Sequence, residues 1–410
     1  MNVDTILIIG GRLDTVRKAK DLGLRVVYLQ QQELHVSAGA AVADAVLLAD
    51  YTDWSIAEPL VAAAQKIWGF TQVVSLAERA MELVGRINDM FALGGTSYAV
   101  SHLFKNKLAM REHLAATGTE VVAAQAVDSA DQLRAFGERH GFPIVVKPVD
   151  AAGSLGVMIV DGPERIDEVW RTAQGLRGRA DREVERVYPV DRFIVEEYID
   201  GPEYSVESFS FAGRHIIVGI TEKLSAGVVE MGHAEPARLT PDAEAALVTH
   251  VEKFLGCMGL RDGIACTEVK MSTKGPRIVE SQNRAPGDRV MDLVEQVSGF
   301  DMESYAVGWP FRLLPELTER PHARCAAATR FLLAEPGTVV SIKGAEEVRD
   351  HPGVLDVDIS VQEGGDVPVL ADNFDRIGQI LTTAADTTTA IELCDTLIAR
   401  IRISTVASGT

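Results

Sequence analysis

Basic residues are scarce in this 410-residue chain: 40 Lys and Arg stand against 59 Asp and Glu, a net charge of −19 at neutral pH. Surfaces that hold nucleic acid or anionic membrane need the opposite balance. A general nucleic-acid binder or peripheral membrane protein is therefore excluded, although a local basic pocket for an anionic ligand is not. Cysteine is scarcer still. Cys257, Cys266, Cys325 and Cys394 show no C-x-x-C spacing, so neither a zinc site nor a disulfide framework is implied. No apolar run reaches membrane-spanning length, and the N-terminal MNVDTILIIGG has no basic region followed by a long apolar core. Repeats and low-complexity tracts are missing too. The expectation is a reduced, soluble, cytoplasmic protein.

What is present is globular: 47% apolar and 24% charged residues, with length enough for about two to four domains. Thr5 to Ile9 is a short apolar run ending in Gly10-Gly11. A helical stretch follows from Leu13 to Leu22, then a β-type run from Arg25 to Leu29. This is a parallel strand–helix–strand unit. Val46 to Leu48 and Gln72 to Ser75 add strands, with a helix at Ile56 to Trp68 between them. G-x-G-x-x-G spacing is absent, so a structural or substrate-binding α/β domain is favoured over a dinucleotide site.

Leu103 to Thr117 reads as one amphipathic helix stopped by Gly118. In Phe142 to Val149, Lys147 sits inside an apolar strand, which is costly unless its charge meets an anion. The small-residue loop Ala151 to Gly156 comes next. It is either a phosphate-cradling nest or an ordinary glycine hairpin. Gly175 to Glu185 reads as a solvated helix or loop. Phe193 to Ser210 is strand, turn at Asp200-Gly201-Pro202, and strand, with Glu203, Ser205 and Glu207 on one face. Gly219 to Leu239, with Lys223, Glu230 and His233, reads as a loop. From Ala326 the chain restarts as a small α+β domain in which only Arg330 looks chemical.

Residues 264 to 289 organise the whole. ACTEVKM and RIVESQN alternate as strands around Ser-Thr-Lys-Gly-Pro. A turn centred on Lys274 places Glu268 opposite Glu280. Like charges directly across a sheet repel, so a cation belongs between them. Hard oxygen ligands without nearby Cys or His favour Mg²⁺ over zinc. Gln282 and Arg284 point the same way as Glu280. The alternative is a solvated edge hairpin whose glutamates never meet.

Taken in order, KNKLAMREHLAATG, FPIVVKPVDAAGSLGV, IVEEYIDGPEYSVE and TEVKMSTKGPRIVESQNRAPGD resemble the ATP-grasp superfamily over residues 100 to 310. The C-terminal part looks like the lid of L-amino acid ligases and, more distantly, of biotin carboxylases. The resemblance implies α/β and α+β architecture. It divides into a Rossmann-like pre-grasp domain (1–102), an ATP-grasp domain (103–325) and a small C-terminal α+β lid (326–410). It also implies ATP and Mg²⁺, or Mn²⁺ in its place. Lys107 and Lys147 match the lysines that hold ATP phosphates, and Gly153, Ser154 and Gly156 the loop that closes over them. Glu196, Glu197, Tyr198 and Ile199 match the hinge that reads adenine, and Glu203 the carboxylate on the ribose. Glu268 and Glu280 match the metal ligands, and Arg284 the arginine that steadies an acyl phosphate or substrate carboxylate. The family's Glu-x-Asn-x-Arg reads Glu280-Ser-Gln282-Asn283-Arg284 here. Either Gln282 reaches the metal, or water completes its shell, or a bulge swings Asn283 inward.

The activity so implied joins a carboxylate to an amine through an acyl phosphate, with amino acids as substrates and a homodimer as the assembly. TEKLSAGVVEMGHAEPA resembles the substrate-side segment of amino acid ligases, so Glu230 or His233 is expected to orient the amine or take its proton. Two alternatives are a biotin-carboxylase-like carboxylase and a nucleotide-binding protein without turnover. The set Lys107, Lys147, Glu268, Glu280 and Arg284 is complete, which argues against the last.

Overall fold

The computed structural model describes residues 3–34 and 41–407. Near the N-terminus a four-stranded parallel sheet runs Ala45–Leu48, Arg25–Gln30, Thr5–Ile9, Gln72–Val74. Every residue of Thr5–Ile9 is buried, as expected for a parallel strand covered on both faces. Gly10 is needed for space and for its left-handed backbone: φ is +59°, and a Cβ there would lie 2.6 Å from Tyr51 Oη. The glycine after the first strand therefore has a packing reason.

The predicted helix from Leu103 to Thr117 is two helices, Tyr98–Lys105 and Lys107–Thr117. Asn106 breaks the run. It leaves helical geometry with ψ 106°, and its Oδ1 accepts the Ala109 N–H at 3.0 Å. This is the competition between Asn side chain and backbone that favours caps over helix interiors. Lys107 thereby becomes the first residue of a helix, not a residue on a helix flank.

Two sheets follow. The smaller is antiparallel, in the order Ala124–Val127, Phe193–Glu197, Ile144–Pro148, Met158–Val160. Helices Ala130–His140 and Ile166–Leu176 cover one face through Leu133, Phe136, Val169 and Trp170. The larger has eight strands, all antiparallel to their neighbours: Gly275–Gln282, Gly263–Ser272, Glu203–Phe211, Arg214–Ala226, Val229–Glu235, Ala326–Phe331, Gly378–Ala384, Val354–Ile359. Helix Pro241–Met258 packs Leu247, Val251, Phe254 and Leu255 against Val206, Ile220, Ala265, Val269 and Ile278. Each large aliphatic or Phe buried this way contributes about 1.5–3 kcal/mol. Alternation then turns Glu203, Ser205 and Glu207, with Cys266, Glu268, Glu280 and Gln282, to the other face.

Gly219 to Leu239, expected as loop, is mostly strand: Arg214–Ala226 and Val229–Glu235 form a hairpin, so Lys223, Glu230 and His233 stand on sheet backbone. The charged spacing along it obscured the pattern because almost every residue from His215 to Lys223 is buried. Past the 325/326 boundary the large sheet continues without interruption, through Ala326–Phe331. A separate three-stranded sheet, Asp366–Val367, Gly337–Lys343, Arg402–Val406, also lies in this part. No helix among the described residues is long and apolar enough to cross a membrane.

Candidate active site

Strands Gly263–Ser272 and Gly275–Gln282 pair with Glu268 opposite Glu280, the register that the sequence suggests. The route to it differs. The turn is tighter than a centre on Lys274 allows, since Ser272 faces Gly275, and an irregularity between Glu268 and Val269 restores the register. A β-bulge adds one residue to one strand and re-aims the side chains beside it. The two carboxylates meet because the bulge offsets the turn.

Both glutamates have cations already beside them. Lys107 Nζ lies 3.0 Å from Glu280 Oε2 and donates to the Ala151 carbonyl at 2.8 Å. Lys223 Nζ reaches Glu268 at 2.7 Å, Glu230 at 2.8 Å and Glu203 at 2.9 Å. Burial disfavours the ionised form of Glu280, but Lys107 and Lys147 outweigh it and hold the carboxyl down to about 2. Burial wins at Glu268, aided by its acidic neighbours against Lys223, and the carboxyl rises to about 8. Gln282 faces the same space: its Nε2 lies 3.5 Å from Glu280, and its Oε1 is buried with no partner. Two facing carboxylates and an orphaned amide oxygen fit a hard divalent cation. Asn283 is turned elsewhere, with Nδ2 donating to Ser101 Oγ at 3.1 Å. Of the three ways considered to complete the ligand set, an inward swing of Asn283 is not the arrangement found.

Two cavities adjoin this hairpin. The first, of about 390 Å³, lies between the two sheets and is lined by Lys107, Lys147, Gly153, Ser154, Glu196 to Ile199, Glu203, Lys270 and the two glutamates. Lys147 Nζ sits 2.8 Å from Glu196 Oε2, and the buried Arg111 holds the same carboxylate at 2.9 Å. Against the cost of burial, these two cations keep Glu196 down to about 2. Gly153, Ser154 and Gly156 all have positive φ, between 61° and 70°. At Gly153 only hydrogen fits, because a Cβ would lie 2.4 Å from the Phe374 ring. Ser154 donates its hydroxyl to the Val228 carbonyl at 2.7 Å, tying the loop to the tip of the 214–235 hairpin.

The second cavity, about 310 Å³, shares Gly153, Lys223, Glu230, Glu268 and Glu280 with the first and extends to Glu78, His233, Arg284, Asp288 and Arg376. Arg284 Nη2 donates to Glu78 Oε2 at 2.8 Å. Burial works against its charge, but Glu78 more than compensates and raises the guanidinium above its usual range. Glu78 also accepts from Lys105 at 2.9 Å. The N-terminal unit thus contributes a buried carboxylate to this cavity.

The C-terminal part contributes as well, though not through Arg330, whose guanidinium is engaged with Asp395. Its residues in the cavity are Asn373, Phe374 and Arg376. Asn373 donates its N–H to the Gly153 carbonyl and accepts from the Glu230 N–H. Arg376 reaches both oxygens of Asp288, at 2.9 and 2.7 Å. The 175–185 stretch, expected to be solvated, supplies Arg182 to Asp372 and Asp375 and buries Glu185. Lys223 and Asp288 lay within the TEKLSAGVVEMGHAEPA and TEVKMSTKGPRIVESQNRAPGD segments without an assigned role, and Glu78 and Arg376 lay in no motif. A lysine at a buried alternating position was the one signal, and it marked Lys223 no more than any strand lysine.

Comparison with known proteins agrees with this geometry. Residues 140–291 match the ATP-grasp domain model, and residues 330–406 match the model of L-amino acid ligase C-terminal domain 2. Residues 140–291 thus carry an ATP-grasp domain, and residues 330–406 are of the L-amino acid ligase C-terminal kind. An uncharacterised protein of Sinorhizobium fredii is 28% identical over 337 residues, covering 82% of this chain and 67% of that one. An L-arginine-specific L-amino acid ligase of Bacillus subtilis is 23% identical over 319 residues, 77% of this chain and 75% of its own. Among solved structures, an L-amino acid ligase from Bacillus licheniformis superposes with TM-score 0.84 at 20% identity, covering 99% of this chain and all of that one.

Proposed function

We propose that this protein is an ATP-dependent carboxylate–amine ligase. It joins amino acids through an acyl phosphate and releases ADP and phosphate. The observation that carries the reading is the shared wall: Glu268, Glu280 and Lys223 line both cavities, so a nucleotide in one and an acid in the other meet at the facing carboxylates.

In this reading Lys107 and Lys147 bind nucleotide phosphates, and the backbone of Glu196 to Ile199 reads the base. Glu203 takes the ribose hydroxyls, and the 153–156 loop excludes water from an intermediate that hydrolyses readily. Glu268, Glu280 and Gln282 would hold Mg²⁺, whose chemistry is to draw charge off a transferring phosphoryl group. Arg284 neutralises the acyl oxygen charge, and its Glu78 partner fixes the guanidinium plane. Glu230 and His233 orient the incoming ammonium and take its proton. We extend the reading to a cytoplasmic homodimer, the usual form of the superfamily.

The test is a release assay for ADP and phosphate over amino acids singly and in pairs with Mg²⁺-ATP, products weighed by mass spectrometry. Release that needs one particular pair, with a product mass equal to their sum minus water, supports the ligase. No release above a Glu280→Ala control, with ATP still bound, would remove it in favour of nucleotide binding without turnover.

A further inference from the structure

The second cavity holds a cluster assembled from three separate parts of the chain. Glu230 and His233 stand on strand Val229–Glu235, Asp288 lies in the turn after the metal hairpin, and Arg376 comes from the C-terminal part. His233 Nε2 is 3.1 Å from Asp288 Oδ2 and 3.4 Å from Glu230 Oε2. One ligand atom from each of Glu230, His233 and Asp288 lies within 4.8 Å of the others. A primary ammonium with N–H donors about 2.9 Å from tetrahedrally placed acceptors would hold those acceptors roughly 4.7 Å apart. The Glu230 and Asp288 carboxylate oxygens, within 4.8 Å of each other, can be bridged by that group, while His233 Nε2, 3.1 Å from Asp288, serves between them as an N–H donor.

The imidazole is 1% exposed and its Nδ1 has no partner. Asp288 is set with unusual firmness. It and Arg289 are consecutive non-glycine residues at positive φ, 53° and 62°. Such conformations persist where the surroundings over-determine them. Arg376 supplies that determination: besides both Asp288 oxygens it donates to the Glu230 and Asn373 carbonyls and lies 3.6 Å from the Phe331 ring centroid. Burial opposes ionisation of Asp288, yet His233 and Arg376 hold its carboxyl far below the usual range. Its side chain keeps about a quarter of its surface open to the cavity.

We propose that Asp288, braced by Arg376, is the second carboxylate arm, beside Glu230, of an ammonium cradle and a specificity-determining residue for the amine substrate. The proposal rests on the ligase reading. It assigns the incoming nucleophile to amines that arrive as primary ammonium ions. These deliver N–H donors to the Glu230 and Asp288 carboxylates, then lose one proton to the Glu230 carboxylate before attack. A nucleophile that is uncharged at neutral pH has no use for the second arm.

The experiment compares two nucleophiles on the full-length protein: the amine identified in the release assay, and hydroxylamine, which is uncharged near neutrality and traps acyl phosphates as hydroxamates. Asp288→Asn should lower kcat/KM for the amine by at least about tenfold more than for hydroxylamine, chiefly through KM. That is the loss expected for one hydrogen bond to a charged group. Arg376→Gln, which unbraces Asp288 without touching the amine, should show the same selectivity, and Asp288→Glu should recover part of it. Equal losses with both nucleophiles, or an amine KM unchanged in both variants, would overturn the proposal. If the unmodified protein made no hydroxamate with any acid, the ligase reading itself would fall, and this inference with it.

Discussion

The large sheet carries two pairs of carboxyl groups on the same face, and they differ in the cations beside them. Glu268 and Glu280 face each other with Lys107 and Lys223 at 3.0 and 2.7 Å. Glu207 and Glu235, 0% and 2% exposed, lie among Ser205, Thr221, Gly219 and Val294 with no lysine against them. Burial drives the Glu235 carboxyl well above its ordinary range, reinforced by the charge of Glu207, and burial raises Glu207 too. The hydroxyls of Ser205 and Thr221 moderate Glu207 without reversing it. Residue type and sheet face are the same. Lysines stand against the first pair and hold Glu280 down to about 2, whereas the second pair has none and burial raises both its carboxyls.

Four substitutions would break or sharpen that contrast. The largest effect is expected at Glu280. Glu280→Gln keeps the shape, removes the charge that meets Lys107, and should lower kcat in the release assay by about 10²–10³. A loss under tenfold would mean that the facing pair is not where the phosphoryl charge is handled. Next is Lys223→Met, which leaves Glu203, Glu230 and Glu268 without their shared cation. Breaking a buried ion pair costs about 3–5 kcal/mol, and the melting temperature should fall accordingly. Millimolar Mg²⁺ should restore more of it in this variant than in the parent.

The third is Glu235→Gln, read through pH. The folded-state pKa of Glu235 is raised, so between its unfolded value and its folded value the native protein holds a proton that the unfolded chain has lost. Its stabilising contribution is therefore complete at low pH and declines as pH rises, by up to about 1.4 kcal/mol per pH unit for one group. Denaturant midpoints measured from pH 5 to 8 should fall less steeply in the variant, and parallel curves would remove the claim. The smallest effect belongs to Arg330→Ala. Its Asp395 partner is half exposed, and exposed pairs contribute no more than about 1 kcal/mol. Ligase turnover should not respond to it.

Legibility in the sequence followed how local the cause was. The Glu268–Glu280 pairing was readable because alternation and a turn sequence act over a few residues, although the bulge that completes the register was not. Lys107 and Lys147 were readable through their motifs. The break at Asn106 was missed because Asn is tolerated in a helical pattern until its side chain finds the Ala109 N–H. Glu230 and His233 were singled out, yet assigned to a loop, because the unbroken run of buried residues from Gly232 to Glu235 shows no alternation to detect.

The sequence by itself determined the ATP-grasp motifs, their order and the Glu268–Glu280 hairpin, since strand periodicity, turn chemistry and motif spacing are properties of contiguous residues. Only the tertiary structure decided which distant charges meet. Glu78 reaches Arg284 across 206 positions and Arg376 reaches Asp288 across 88. A buried charge acts only through what stands within a few ångströms of it, and for these residues that neighbour is set by how the sheets and the C-terminal part dock.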